Sequence, residues 1–526
     1  MASQPVLIDG IWRESCGSEC FHACQPETAQ AEDILFPLSP WEEVEAVLQA
    51  ASRAFVEVRG WQGERFAKFL EAYAKRIEKR AEEIVVAAYR ETALPVSPRL
   101  KDVELPRTTN QLRLAAKAAR DCSWSLPTID SAANIRSLHE PIGPVVVFGP
   151  NNFPLAFNGI AGGDFAAAIA AGNPVIAKGH PCHPMTTKIM AEEAQFAAQE
   201  TEMPTGFVQL IYRTSHEDGM KLVADFRLGA TGYTGSRQTG LLLKEAADRA
   251  GKPIYLELSS TNPVVILPAS LEERATEIAG EFTTSCLMGT GQFCTNPGMV
   301  ILCQNDKSEK FLLEVAEKFD AAPVGTLLSL GVRSAFAESL GDLINVGAEV
   351  VAGGNPCGGE GYSFSNTLLR VSGGDFLKNP EALQQEVFGN SSLFVFATDC
   401  DQLTSICEKL EGNLTGCLYS HSEGLDDHHY DSVASVLRSK VGRLLNDKMP
   451  TGVAVSSAMN HGGPYPATGH AGFTSVGMPA SIRRFSMLAC YDNVRENRLP
   501  LVLRRENPNG EIWRLIDGTW SQADFS

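Results

Sequence analysis

Between residues 145 and 267, short apolar runs alternate with stretches whose apolar positions recur at helical spacing. The runs fall at 145–148, 175–177, 207–212, 229–233, 254–258 and 264–267, with helical segments between them, among them 184–200, 218–224 and 236–250. A run that is apolar throughout predicts a strand buried on both faces, and strand–helix alternation predicts a parallel sheet. The expected fold class is therefore α/β, with a doubly wound Rossmann-type sheet at its centre. Upstream, residues 6–35 show short strand-and-turn patterns. Ser39, read as an N-cap, then opens a helix with Trp41, Val44, Val47, Leu48 and Ala51 on one face, and further helices run to about Ala119. Residues 123–141 alternate at Ile135, Ser137 and His139 among turn formers, which predicts a β-hairpin. A second α/β alternation spans about 271–447. A glycine-rich loop at 460–469 and a polar, Arg-rich tail follow, with a strand expected at 499–503.

Length and charge narrow the class. A chain of 526 residues exceeds one ordinary core, so two or three domains are expected. Its 63 acidic and 45 basic residues leave a net charge of −18, which argues against nucleic acid or an anionic membrane as partner, since both call for basic surfaces. The most apolar region, 155–177, is broken by Asn158, Asp164, Asn173 and Pro174, so no membrane span is expected. Thirteen cysteines, an odd number, without a secretory pattern at the N-terminus point to free thiols and a cytoplasmic location. Cys16, Cys20 and Cys24, with His22 among them, match no standard ligand spacing, and no metal site is expected.

One stretch, F-T-T-S-C-L-M-G-T-G-Q-F-C-T-N-P-G-M at 282–299, is a helix that runs into Gly289 and Gly291 and then presents Cys294. A thiol at such a junction can meet a ligand, provided that other groups stabilise an oxyanion and resolve a covalent adduct. In a doubly wound sheet, ligands bind at the carboxyl ends of the strands. Asn152, Lys178, Gly235 and Glu257 fall at such ends. Asn152 and the Cys294 backbone N–H offer oxyanion donors, and Glu257 offers a carboxylate to activate water. His461, Tyr465 and His470 in the glycine-rich loop could touch a ligand, but read first as structural hydrogen-bonding groups.

Together these pieces resemble the aldehyde dehydrogenase superfamily over nearly the whole chain. The matching motifs, in the family's order, are P-V-V-V-F-G-P-N-N-F-P (144–154), A-G-N-P-V-I-A-K (171–178), T-G-S-R-Q-T-G (234–240), L-E-L-S-S-T-N-P (256–263), G-Q-F-C-T (291–295) and E-V-F-G (386–389). The resemblance implies Cys294 as nucleophile, Asn152 as oxyanion holder and Glu257 as the base that deprotonates water. It implies Lys178 at the adenosine ribose, Gly235 and Ser236 by the pyrophosphate, and Glu386 with Phe388 at the nicotinamide ribose. The domains it implies are a dinucleotide-binding domain (1–122 and 142–268, with a return segment 448–482), a catalytic domain (269–447), and an oligomerisation hairpin and tail (123–141 and 483–526). A homodimer or homotetramer follows from that last element.

Where many NAD-dependent members carry a carboxylate after the lysine, this chain has Gly179-His180-Pro181. Loss of that carboxylate removes repulsion against a 2′-phosphate, and Lys178, His180 and Arg213 stand as candidate contacts, so NADP is the preferred cofactor with NAD as the second. The motifs K-G-H-P-C-H-P and N-H-G-G-P-Y-P-A-T and the terminal N-P-N-G-E-I-W-R-L-I-D-G are similar to a narrower branch. That branch holds 2-oxoglutarate semialdehyde (2,5-dioxopentanoate) and NADP-dependent fatty aldehyde dehydrogenases. The anionic semialdehyde, preferred here over a medium- or long-chain aliphatic aldehyde, needs a cation in the tunnel; Arg107 and Arg113 are the candidates, with Phe153 as tunnel wall. Two rival readings are acyl transfer to coenzyme A, disfavoured by the retained Glu257, and a non-catalytic cofactor-binding protein of the same fold, disfavoured by the three catalytic-type residues.

Overall fold

The computed structural model describes residues 3–508 and 510–525. Five strands pair in parallel in the spatial order Ile254–Glu257, Ala230–Thr234, Val145–Phe148, Val175–Lys178, Val208–Ile211. Val6–Ile8 and Ile11–Arg13 extend the far edge as an antiparallel pair. Val145, Val146 and Val147 are buried on both faces, which is why the run reads as continuously apolar. One core joins this sheet to the helices Trp41–Val58, Gly63–Lys79, Leu105–Asp121 and Pro184–Glu200. From Val145–Phe148 the chain winds outward through two strands, then returns to the other side of that first strand at Ala230–Thr234. The reversal opens a crevice over the carboxyl ends, where a ligand belongs.

Three local expectations are corrected. The first helix begins at Trp41 with Pro40 at the cap; the Pro40 carbonyl accepts from Val44 N–H, and the Ser39 hydroxyl does not cap it. The 264–267 run, grouped by sequence with the first sheet, forms Pro263–Ile266 in the second sheet instead, between Met299–Cys303 and Asn413–Tyr419. A four-residue apolar run carries no mark of which sheet it joins. The crossing is made by a side chain distant in sequence: Asn413 Oδ1 accepts from the Thr261 and Asn262 backbone N–H groups at 2.9 and 3.0 Å and turns the chain there. Finally, 499–503 is no strand: Leu501–Leu503 is a 3₁₀ turn after Pro500, and Leu499 and Leu503 bury themselves against Ile129 and Leu138.

The second sheet has the order Glu349–Ala352, Thr367–Ser372, Ser391–Ala397, Met299–Cys303, Pro263–Ile266, Asn413–Tyr419, Val441–Asn446, parallel except for its first edge strand. Strands of the hairpin and of the tail meet in a five-stranded sheet, Ser486–Asp492, Ile135–Pro141, Thr128–Asp130, Arg514–Ile516, Thr519–Ser521. Among the described residues, no helix is long and apolar enough to cross a membrane.

Candidate active site

The helix Pro268–Leu287 ends in a 3₁₀ turn, Met288–Gly291, that delivers Cys294. Gly291 has φ +66°, and a Cβ there would lie 2.0 Å from the Gly389 carbonyl oxygen, so only glycine lets the two loops touch. The Gln292 side chain fastens the turn, accepting from Leu328 N–H at 2.8 Å, and the Cys294 carbonyl accepts from Asn262 Nδ2 at 2.9 Å. Asn152, in the loop after Val145–Phe148, donates from Nδ2 to the Gln292 carbonyl at 3.0 Å. That bond occupies one of the two hydrogens of the Asn152 amide.

Glu257 ends the strand Ile254–Glu257 and is 1% exposed. Its Oε1 lies 2.8 Å from His461 Nε2, and its Oε2 accepts from the Ser475 hydroxyl at 3.0 Å. The same His461 Nε2 lies 3.4 Å from Cys294 Sγ. Thiol, imidazole and carboxylate thus come from three remote parts of the chain, with all three atoms within 4.8 Å of one another. Such a trio can ligate a metal, but the 2.8 Å His461–Glu257 separation is a hydrogen bond; ligands ~2.0 Å from one tetrahedral ion would stand about 3.3 Å apart. Burial, then the charge of Glu257, pushes the Cys294 thiol well above its ordinary value, and Arg107 opposes this without reversing it. Burial alone would raise the Glu257 carboxyl, but His461, Ser475 and Cys294 together hold it below the usual range. Both directions put the proton on sulfur and the negative charge on carboxylate. An ionised Oε1 2.8 Å from His461 Nε2 places a hydrogen on that nitrogen, so the imidazole donates to Glu257 with the sulfur beside it.

The expected substrate contacts divide. Arg107, at the start of the helix Leu105–Asp121, is half-buried, with its guanidinium 5.7 and 5.2 Å from the ring centres of Phe153 and Phe157. Among the described residues it forms no ion pair, and its buried Nη2 has no partner. Arg113, six positions on, faces another way and pairs with Glu78 at 2.6 and 2.7 Å on the outer surface. Arg113 is therefore set aside as a substrate contact. Phe153 meets Phe157 and Phe293 edge-on at 5.2 and 5.3 Å, and with Val476 these rings form an apolar wall beside His461 and Cys294.

The expected cofactor contacts lie along the crevice. Lys178 ends its strand half-buried and without a carboxylate partner among the described residues; burial and the neighbouring Arg213 bring its ammonium down to about 8. Arg213 is exposed. His180 stacks on His183 at 5.3 Å and accepts from Cys182 N–H at 3.1 Å; burial, then His183 and Lys178, hold it well below the ordinary histidine value. Gly235 precedes Ser236, whose hydroxyl caps the helix Arg237–Arg249. Glu386 and Phe388 line a cleft with Ser260 and Thr261, where burial raises the Glu386 carboxyl to about 7 against the pull of Ser260 N–H and the Ser259 hydroxyl. An uncompensated lysine, a helix N-terminus and a buried carboxyl are groups that the phosphates and ribose hydroxyls of a dinucleotide can use.

Sequence reasoning passed over Arg99, Glu104 and Ser475 and gave His461 a structural part. No local pattern marks them, because each reaches the site by tertiary packing. The Cys16 and Cys20 thiols are exposed and Cys24 is half-buried.

Comparison with known proteins agrees with this geometry. The sequence profile of the "Aldehyde dehydrogenase family" matches residues 12–454. Alpha-ketoglutaric semialdehyde dehydrogenase 2 of Azospirillum brasilense is 38% identical over 495 residues, 92% of this chain and 93% of that protein. Alpha-ketoglutaric semialdehyde dehydrogenase of Acinetobacter baylyi is 34% identical, covering 94% of each. Betaine aldehyde dehydrogenase of Staphylococcus aureus, solved in complex with NAD+, superposes with a TM-score of 0.81 at 20% identity, over 94% of this chain and 96% of that one. A thiol held against an imidazole and a carboxylate at the mouth of a doubly wound sheet, in a chain so widely matched, settles the family: the chain belongs to the aldehyde dehydrogenases.

Proposed function

We propose that the protein oxidises 2-oxoglutarate semialdehyde to 2-oxoglutarate with a nicotinamide cofactor, preferring NADP+ over NAD+. The observation that carries the substrate is Arg107, a half-buried cation without an ion-pair partner among the described residues, standing over the phenylalanine wall that leads to Cys294. An aldehyde with a carboxylate at its far end matches that charge, and the two semialdehyde dehydrogenases named above support the choice.

The steps follow from the residues. The sulfur of Cys294 adds to the aldehyde carbon as the thiolate, its proton having been lost to solvent, with the His461 Nε2–H beside the sulfur. The second amide hydrogen of Asn152 and the Cys294 N–H hold the oxygen as it becomes negative. A bound nicotinamide supplies the hydride acceptor that leaves a thioester on Cys294. Glu257, held ionised, then takes a proton from water, and the hydroxide attacks the thioester, freeing the acid and the thiolate. Lys178, Gly235, Ser236, Glu386 and Phe388 would hold the dinucleotide, with Arg213 and His180 near its 2′-phosphate.

Replacing Arg107 by Met should raise KM for the semialdehyde ~100-fold, as expected for removing a desolvated partner of an anion, while leaving octanal within a few-fold. Equal effects on both aldehydes would refute the anion role and return the aliphatic reading, which the phenylalanine wall favours. With Lys178 titrating near 8, its charge is present below that pH and lost above it. The dissociation constant of NADP+ should therefore rise by up to about tenfold per pH unit above 8, and that of NAD+ by less. Parallel curves for the two cofactors would show that Lys178 does not read the phosphate. Steady-state kcat/KM for the semialdehyde and octanal with each cofactor tests the function as a whole. The strand Ser486–Asp492, an edge exposing Met487 and Leu488, supports assembly into a dimer or tetramer through this sheet.

A further inference from the structure

We propose that the buried ion pair of Arg99 and Glu104 is a positioning clamp for the oxyanion site, holding the 152–156 turn and Phe293 in register without binding substrate. The inference rests on the reading of Asn152 as the oxyanion donor.

Its origin is local. Residues Val96–Glu104 form a π-helical stretch, with Ser97 extended inside it. Positions five apart diverge around an α-helix but come into register in a π turn, so Arg99 and Glu104 meet. Arg99 is 8% exposed and Glu104 fully buried. Arg99 Nη1 donates to Glu104 Oε2, and Nη2 donates to the Asn152 carbonyl at 3.0 Å. Glu104 Oε1 accepts from the Leu155 and Ala156 backbone N–H groups, each at 2.9 Å. The pair thereby grips both ends of the turn that carries Asn152. The Arg99 guanidinium also lies 4.3 Å from the Phe153 ring centre and 5.2 Å from that of Phe293, the residue before Cys294. Both oxyanion donors, the Asn152 amide and the Cys294 N–H, are thus neighbours of one rigid group.

Charge separates this arginine from the other. Glu104 neutralises Arg99 at contact distance, so little field is left for an anionic substrate, whereas Arg107 has no such partner. A substrate ligand would affect KM for anionic aldehydes. A clamp would affect the transition state of every aldehyde alike, because small displacements of a donor from the developing charge are costly.

The test is the double variant Arg99→Met/Glu104→Gln, which removes the pair without stranding a charge, with Arg99→Lys beside it. The clamp predicts kcat lower by about 10- to 100-fold for both the semialdehyde and octanal, with each KM within about threefold and NADP+ affinity kept. Arg99→Lys keeps the charge but loses the forked pair of nitrogens that reaches Glu104 and the Asn152 carbonyl separately, and its kcat should fall between. An unchanged kcat in the folded double variant overturns the proposal. So does a higher KM confined to the semialdehyde with kcat retained, which would make Arg99 a substrate ligand. Should the double variant not fold, Arg99→Lys decides: wild-type kcat overturns the clamp. A wild-type enzyme inert to both aldehydes would sink the catalytic reading of Asn152 and this inference with it.

Discussion

Cys294→Ala is expected to bind NADP+ within about twofold of the wild-type protein and to turn over no aldehyde, a loss on the order of 10⁴-fold or more. Among the described residues, the site offers no second nucleophile. Cys286, eight positions earlier, is buried in the core with its Sγ 3.6 Å from the Ser391 carbonyl, and burial pushes its thiol up to about 12. The serine nearest the base, Ser475, spends its proton on Glu257 Oε2. Removing one sulfur should also leave the architecture alone, since the Cys294 carbonyl, and not its side chain, is what Asn262 holds. Titration of NADP+ by fluorescence and progress curves with the semialdehyde check both halves. Turnover above a hundredth of wild type would place the nucleophile elsewhere.

Glu257→Gln should split the reaction in two. The amide is isosteric and can keep contacts with His461 and Ser475, but it cannot take a proton from water. Release of the acid should slow by about 10³-fold, within the range for general base catalysis, while the first turnover persists. A burst of one NADPH per active site followed by a slow steady state is the expected record. The same substitution removes the negative charge that helps hold the Cys294 thiol protonated. A group whose pKa is raised by an anion falls when that anion goes, so alkylation of Cys294 by iodoacetamide at pH 8 should become faster. Slower alkylation would mean that Glu257 activates the thiol instead of suppressing it, and absence of a burst would mean that acylation also needs the carboxylate.

What the chain discloses by itself depends on how far apart the cooperating residues lie. The parallel strands were readable because 145–147 and 175–177 are buried on both faces and carry no polar interruption. Cys294, Asn152 and Glu257 were readable because each sits in a contiguous motif at a strand end or glycine turn, and the fold brings Cys294 and Glu257 within 4.8 Å. His461 was visible as a residue but not as a partner of Cys294, since 167 positions separate them and only the return of the glycine-rich loop closes the gap. Arg99 and Glu104 depend on a π-helical register that helical periodicity does not announce. Pro263–Ile266 went to the wrong sheet because Asn413, which turns the chain there, lies some 150 residues downstream. Six positions put Arg107 and Arg113 on different faces of one helix, so at most one could point inward, but the sequence did not say which; Glu78 on the surface pairs with Arg113.

The claim on which all of this turns is that Cys294 carries the acyl group. Glu257→Gln protein mixed with the semialdehyde and NADP+, quenched in acid within the burst and digested for mass spectrometry, examines it directly. The account predicts one 2-oxoglutaryl thioester per chain, on the peptide containing Cys294, absent when NADP+ is omitted. An adduct on another cysteine, or a full NADPH burst with Cys294 unmodified, would contradict it.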